Sequence, residues 1–434
     1  AGFIKQKVES GKDMKPESTK YSYDGLHRLV KAVTNDKKDD DRDDDDRRDD
    51  AKRDDKDGLV LKYIYDAASN RTRYEEQIDK KTDITNYQYD DANELLKMIL
   101  SDGKKDITKN IFNYDANGNR TSELIDELKK SPVGKKYRYD DENRLTNVLE
   151  YALKKDKHGE FSLPRAFIPE GSIALSIAEI ATPSVELKDA STGAELSSSI
   201  SAQTVPLNDK KTENNDDHSD KDDRDQESDE DPYPKLKSKT ELSYDGNGRR
   251  LVSTFFPGKK DPSATSGQAS GQRTEYVFDH LDPVVEYSKW NKQGRRLYRD
   301  HEQNLIALQT FKLKDDDRDD DDKHRNNDSR GYDDAELFWY HQDGEGNIAA
   351  LSRDNGQLAD SFKYDPYGIP KPKNGKLSTF DKQYTLTQKQ FDANTGLYYF
   401  GARHYDPDVG SWLTQDSYRG KISDPMSLHR YLYN

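Results

Sequence analysis

Six short segments of the chain share one pattern: "YSYDGLHRL" from Tyr21, "YIYDAASNRT" from Tyr63, "YQYDDANELL" from Tyr87, "FNYDANGNRT" from Phe112, "YRYDDENRL" from Tyr137 and "LSYDGNGRRL" from Leu242. A looser copy, "YVFDHLDPVVEY", begins at Tyr276. Asp66, Asp90, Asp115 and Asp140 follow one another at 24, 25 and 25 residues, the length of a two-stranded hairpin with its turns. A fixed period with that content predicts a repeat architecture of β-hairpins, and it limits what the rest of the chain can be.

The residue types give the pattern a mechanism. Aromatics at i and i+2 lie on one face of a strand. The Asp of each pair, Tyr23-Asp24, Tyr65-Asp66, Tyr89-Asp90, Tyr114-Asp115, Tyr139-Asp140 and Tyr244-Asp245, then ends the strand where small and polar residues open a tight turn. The Arg after the turn starts the return strand, and its guanidinium can reach the Asp of its own or a neighbouring unit. Structural work by each Tyr-Asp pair therefore outweighs catalysis. "NRT" at Asn70 and Asn119 matches a glycosylation acceptor, but the repeat already explains it. The 27 Tyr, against 13 Phe and 3 Trp, suit strands with one packed face and one wet face.

Composition separates ordered from disordered parts. Only 31% of residues are hydrophobic and 36% are charged, so part of the chain cannot bury a core. "KDDDRDDDD" occurs at Lys38 and again at Lys314 with no apolar face and no turn-forming Gly, which fits solvated loops better than calcium sites. The expected order is a first repeat at 1–30, a disordered Asp/Arg-rich loop at 31–58 and repeats at 59–151. An insertion with an acidic linker follows at 152–240, then repeats at 241–311, a second such loop at 312–332 and a distinct block at 333–434. The absence of Cys excludes disulfides and thiol chemistry. A net charge of −15 argues against nucleic acid as a partner. No apolar run approaches a membrane span, and "AGFIKQKVESGKDMKPESTK" has neither a signal-peptide core nor an initiator Met, which suggests a fragment.

From Phe338 the pattern changes. "FWYHQDGEGNIAALSRDNGQLADSFKYDPYGIPK" reads as three strands separated by a Gly-Asn turn and an Asp-Asn-Gly turn, ending at Tyr364-Asp365. "DANTGLYYFGARHYDPDVGSWLTQD" follows. These segments, with the upstream repeats, resemble the Rhs (YD-repeat) family and its C-terminal repeat-associated core, which includes polymorphic toxins, Tc-toxin C subunits and teneurins. The resemblance implies an all-β fold: hairpins spiralling into a hollow shell, here a partial one of roughly eight to ten hairpins, with the core segment curling inward as a plug. It also implies a secreted or cell-surface bacterial protein whose partner is a C-terminal toxin cargo, or the remaining shell of the parent chain. The leading expectation is therefore a non-enzymatic shell segment, with no cofactor and no metal.

In cleaving members the core is an aspartyl autoprotease. Arg403 and Asp416 match two of its positions, but the partner carboxylate has no counterpart up to Asn434, so self-cleavage by this chain alone is not expected. Gly396, Asp406 and Gly410 are expected to set turns, and Tyr398, Tyr399, Tyr405 and Trp412 to pack strands and plug. His341 and His404 stand singly, as strand-edge residues rather than metal ligands. An adhesion module is the alternative, taking glycans or a cell-surface receptor and stacking sugars on Trp290, Trp339 and Trp412.

Overall fold

The computed structural model describes residues 3–11, 14–36, 58–79, 81–101, 106–126, 131–153, 235–258, 271–288, 290–312, 335–372 and 382–433. Ala1–Ser172 and Pro234–Asn434 form one compact unit. A second unit, Ile173–Tyr233, lies outside the described residues, as do the Asp/Arg-rich runs after Asp36 and after Lys312. The strand that precedes the first run extends to Asp36, and the strand after the long insertion starts at Lys235. The expected limits at 30 and 240 therefore fall inside strands. Strands Leu145–Ala152 and Lys235–Tyr244 pair directly, so the insertion leaves and re-enters between neighbours.

The fold is all-β. A 21-stranded sheet runs from Gln6–Gly11 to Pro370–Pro372, and each of its strands pairs antiparallel with the strand before it in the chain. A separate 5-stranded sheet follows, made of Lys382–Tyr384, Gln390–Asp392, Leu397–Tyr399, His404–Asp406 and Ser411–Trp412. Among the described residues no helix is long and apolar enough to cross a membrane.

One turn recurs through the long sheet, at Asp24, Asp66, Asp90, Asp115, Asp140, Asp245, Asp300, Asp343 and Asp365. The Asp backbone N–H donates to the carbonyl four residues on, and its own carbonyl accepts from the N–H three residues on. That third residue has positive φ in every copy: His27, Ser69, Asn93, Gly118, Asn143, Gly248, Gln303, Gly346 and Gly368. The Asp side chain completes the turn. At Asp115, Oδ1 accepts the N–H groups of Asn117 and Asn119, both at 2.9 Å, and Oδ2 accepts Asn119 Nδ2 at 3.0 Å. One carboxylate thus pairs an exposed and a part-buried turn amide at once.

Two copies in this set, Asp300 and Asp343, have no aromatic before the Asp. The aromatic-Asp pair Phe278-Asp279, read above as a looser repeat, instead closes a two-residue hairpin with His280 at positive φ, so that reading is corrected. The reason is a division of labour. Asp makes the turn, whereas Tyr fastens one repeat to the last. The hydroxyls of Tyr65, Tyr89, Tyr139, Tyr244 and Tyr364 donate to the carbonyls of Leu29, Arg71, Arg120, Leu145 and Ile348, each five residues past the preceding repeat turn.

The register slips by one residue after every one of these turns except the last, at Asp365. Tyr65 faces Arg71 while Ile64 faces Arg73, and Thr72 is the extra residue of a β-bulge. Thr72, Thr121 and Thr146 occupy this position and bond the carbonyls of Ile64, Asn113 and Arg138. Leu96, Leu251 and Ile306 occupy it in other repeats and are exposed, because a bulged residue points away from the packed face. On the packed face, Tyr63, Tyr87, Phe112, Tyr137, Leu242 and Leu297 are buried.

Candidate functional site

The chain puts its chemistry where the second sheet meets the first. Three apolar clusters of the long sheet each include a side chain from residues 382–433: Tyr384 beside Leu308 and Phe338, Leu397 and Leu413 beside Tyr137 and Leu242, and Val409 beside Tyr87 and Phe112. The second sheet therefore lies on the packed face.

Polar anchors reinforce it, and they come from one repeat position. The residue five after the turn Asp is apolar in most repeats: Leu29, Leu95, Leu145, Leu305 and Ile348. In three it is Arg, namely Arg71, Arg120 and Arg250, and all three are buried. Arg71 Nη2 donates to the Val409 carbonyl at 2.7 Å. Arg120 Nη1 meets Asp406 Oδ2 at 2.5 Å, and Nη2 meets Ser411 Oγ at 3.2 Å. Arg250 bonds Gln390 Oε1, while its backbone N–H donates to the Tyr399 hydroxyl at 3.0 Å. Each guanidinium also lies over aromatic rings: Arg71 over Tyr87 and Tyr367, Arg120 over Phe112, and Arg250 over Tyr276 and Tyr399.

The sequence reading treated the Arg after each turn as one class, but the structure divides them. Arg28, Arg144 and Arg249, four after the Asp, bond the carboxylates of Asp24, Asp140 and Asp245 and reach the carbonyls of Asp66, Asp245 and His280 in the next turn. Arg71, Arg120 and Arg250 are one residue later and point into the packed face. A shift of one position in a strand reverses the face, and that was the signal to use. Asn70 and Asn119, the sequon residues, are buried with their amides on Asp66 and Asp115.

Within the second sheet, Phe391 faces Tyr398, Tyr398 faces Tyr405, and Tyr405 faces Trp412, one aromatic row across four strands. Phe400 and Tyr433 pack on the row. Gly396 and Gly410, at positive φ, close the turns by donating to the carbonyls of Asp392 and Asp406. Asp406 has two tasks: Oδ1 accepts the Asp408 N–H within its own turn, while Oδ2 holds Arg120. His404 is buried against Tyr399, its Nε2 has no hydrogen-bond partner, and burial followed by the nearby Arg250 pushes it down to about 3. His341 is exposed, 2.8 Å from Ser352 Oγ. Among the described residues no group of three or more His, Asp or Glu could hold a metal ion.

Arg403 and Asp416 do meet. Arg403 Nη2 lies 2.6 Å from Asp416 Oδ2, and its guanidinium stacks on Trp412 at 4.2 Å. Burial pulls the Arg403 pKa down, partly offset by Asp416. Arg430 fixes the Asp416 backbone, donating from Nε to its carbonyl at 2.8 Å and accepting its N–H at 2.9 Å. The pair opens on a cleft of about 730 Å³ lined on its other side by the turns at Asn143 and Arg249.

No family profile matches the chain. Over 96 residues, 22% of this chain and 4% of the relative, it is 32% identical to the tRNA nuclease WapA of Bacillus subtilis. Over 81 residues, 18% of this chain and 8% of the relative, it is 40% identical to the toxin subunit YenC1 of Yersinia entomophaga. The chain thus spans less than a tenth of the length of either. Among solved structures, TcdB2-TccC3 without its hypervariable C-terminal region aligns over 96% of this chain and 21% of that one, at 12% identity and a TM-score of 0.32. A Tc holotoxin pore from Photorhabdus luminescens aligns over 96% and 19%, at 12% identity and a TM-score of 0.31. In its repeated Tyr-Asp hairpins and these local sequence matches, the chain is similar to proteins of the Rhs/YD-repeat kind.

Proposed function

We propose that this chain is a wall segment of a secreted toxin-delivery shell, in which the second sheet serves as a plug folded onto the inner face. The observation that carries the reading is the placement of Arg71, Arg120 and Arg250. Three repeats give up an apolar residue for a buried cation, and all three cations are spent on the C-terminal block. Such a substitution costs desolvation free energy unless the charge is paired, so the block is an integral part of the wall. The relatives named above are a toxin subunit and a nuclease, which suits a toxin carried by a longer parent.

The test is protease protection in the parent protein. Its cargo should survive protease that digests the isolated cargo, and Arg120→Leu with Arg250→Leu should expose it. Cargo digested equally fast in the intact parent would sink the idea. In the same parent, the role proposed for Asp416 is that of one carboxylate of a self-cleaving pair, oriented by Arg403. Self-cleavage that persists in Asp416→Asn would remove it.

One observation favours a second reading. Trp412 is buried, but Trp290 is 55% exposed and lines a cleft of about 460 Å³ with Phe255, Tyr287 and Phe311, together with buried Glu286 and half-buried Arg295. A glycan-binding role predicts glycan-array binding that Trp290→Ala abolishes.

A further inference from the structure

In the repeat turns, the residue four after the Asp usually donates from its side chain to the second carboxylate oxygen. Arg28, Asn70, Asn119, Arg144, Arg249, Asn304 and Asn347 all do so. Ile369 stands there after Asp365, and after Asp90 the residue is Glu94. An ionised Glu can only accept, so as a carboxylate it would leave two acids facing each other.

A second contact requires the same proton. The Tyr431 hydroxyl lies 2.6 Å from the Gly118 carbonyl oxygen and 3.1 Å from Glu94 Oε1. A phenol has one proton and a carbonyl can only accept, so Tyr431 donates to Gly118. Its contact with Glu94 then needs a proton on Glu94. Gly118 is suited to this approach, since a Cβ there would run into Gln415 and the Tyr431 hydroxyl. We propose that Glu94 and Tyr431 form a proton-gated latch holding the end of the C-terminal segment on the repeat turns, closed when Glu94 is protonated and loosened when it ionises.

The groups around Glu94 agree with this. Asp90 faces it from its own turn and Asp115 from the next, while Tyr114 lies edge-on to the Tyr431 ring at 5.9 Å. From the C-terminal segment come Tyr431 itself, Gln415, and Arg430, which bonds Gln415. Burial, followed by the two facing aspartates, pushes Glu94 up to about 7. His429 bonds Asn70 Oδ1 at 2.7 Å and is pushed down by burial. Because the docked state raises an acid above its ordinary value, the docking contribution is complete below 4.5 and is lost as pH rises through about 7.

Hydrogen exchange of the whole chain, read as protection factors for the peptide containing residues 429–433, tests the latch. Between about pH 6 and about pH 8.5 the wild-type protection should fall roughly ten-fold, because pH 6 lies about one unit below the docked value of about 7 and pH 8.5 lies well above it. Glu94→Gln keeps a permanent donor and should stay protected at both values. Tyr431→Phe should be less protected at pH 6 and lose the pH dependence. Wild-type protection that does not change with pH overturns the proposal. So does a wild-type pH profile retained by Tyr431→Phe, which keeps the proposal testable if Glu94→Gln does not fold.

Discussion

Arg120 and Asp406 are 286 residues apart in sequence, yet their side chains meet at 2.5 Å with the guanidinium fully buried. The pair joins a hairpin of the repeat to a turn of the C-terminal sheet. Removing one partner leaves the other charge buried. Arg120→Leu, which restores the residue type most repeats carry, should therefore destabilise by about 3–5 kcal/mol. Adding Asp406→Asn should recover part of that loss. Urea unfolding of the single and double variants measures it, and strictly additive losses would show that the two residues act independently.

Tyr139 tests the proposed division of labour within the Tyr-Asp pair. Its hydroxyl donates to the Arg120 carbonyl at 2.8 Å, while its half-buried ring packs on the cluster around Tyr137 and Leu145. Tyr139→Phe keeps the ring and should cost about 1–2 kcal/mol, since it leaves a buried carbonyl short of one bond. Equilibrium denaturation should show an unchanged slope with a shifted midpoint. A neutral substitution would contradict the fastening role.

Asp115 tests the turn itself. Asp115→Ala strands two backbone N–H groups and should lose about 2 kcal/mol, whereas Asp115→Asn keeps an acceptor and should lose less. Related turns predict an acid limb. For Asp24 and Asp140, burial raises the carboxyl, but hydrogen bonds from Arg28 and Arg144 outweigh it and leave the pKa below 3.8. That stability is present above 3.8 and is lost as pH falls through the lower folded values. Unfolding midpoints followed below about pH 4 should therefore fall steeply, and less so in Asp24→Asn.

His404 predicts a broader pH effect. It is buried and neutral, held down to about 3, so its contribution is present above 6.5 and declines as pH falls toward 3. His404→Phe removes the unpaired Nε2 and should flatten the stability profile over that range. Thermal melts at several pH values would reveal a parallel profile if the ring were not the titrating group.

Periodicity by itself determined the fold class, the hairpin repeat and the turn-forming role of Asp, because these depend on local backbone geometry and a two-residue alternation. Arg403 and Asp416 came forward as a pair from the family resemblance of the C-terminal block, not from the period. The aromatic-Asp pair was too coarse a key, however: it admitted Asp279 and missed Asp300 and Asp343, since the aromatic serves the neighbouring repeat rather than the turn. Tertiary structure alone decided which face each Arg occupies, that Asp406 serves Arg120 as well as its own turn, and that Glu94 meets Tyr431. Those contacts join residues hundreds of positions apart, and whether a charge there is stabilising depends on which partner the fold brings to it in the dry space between the two sheets.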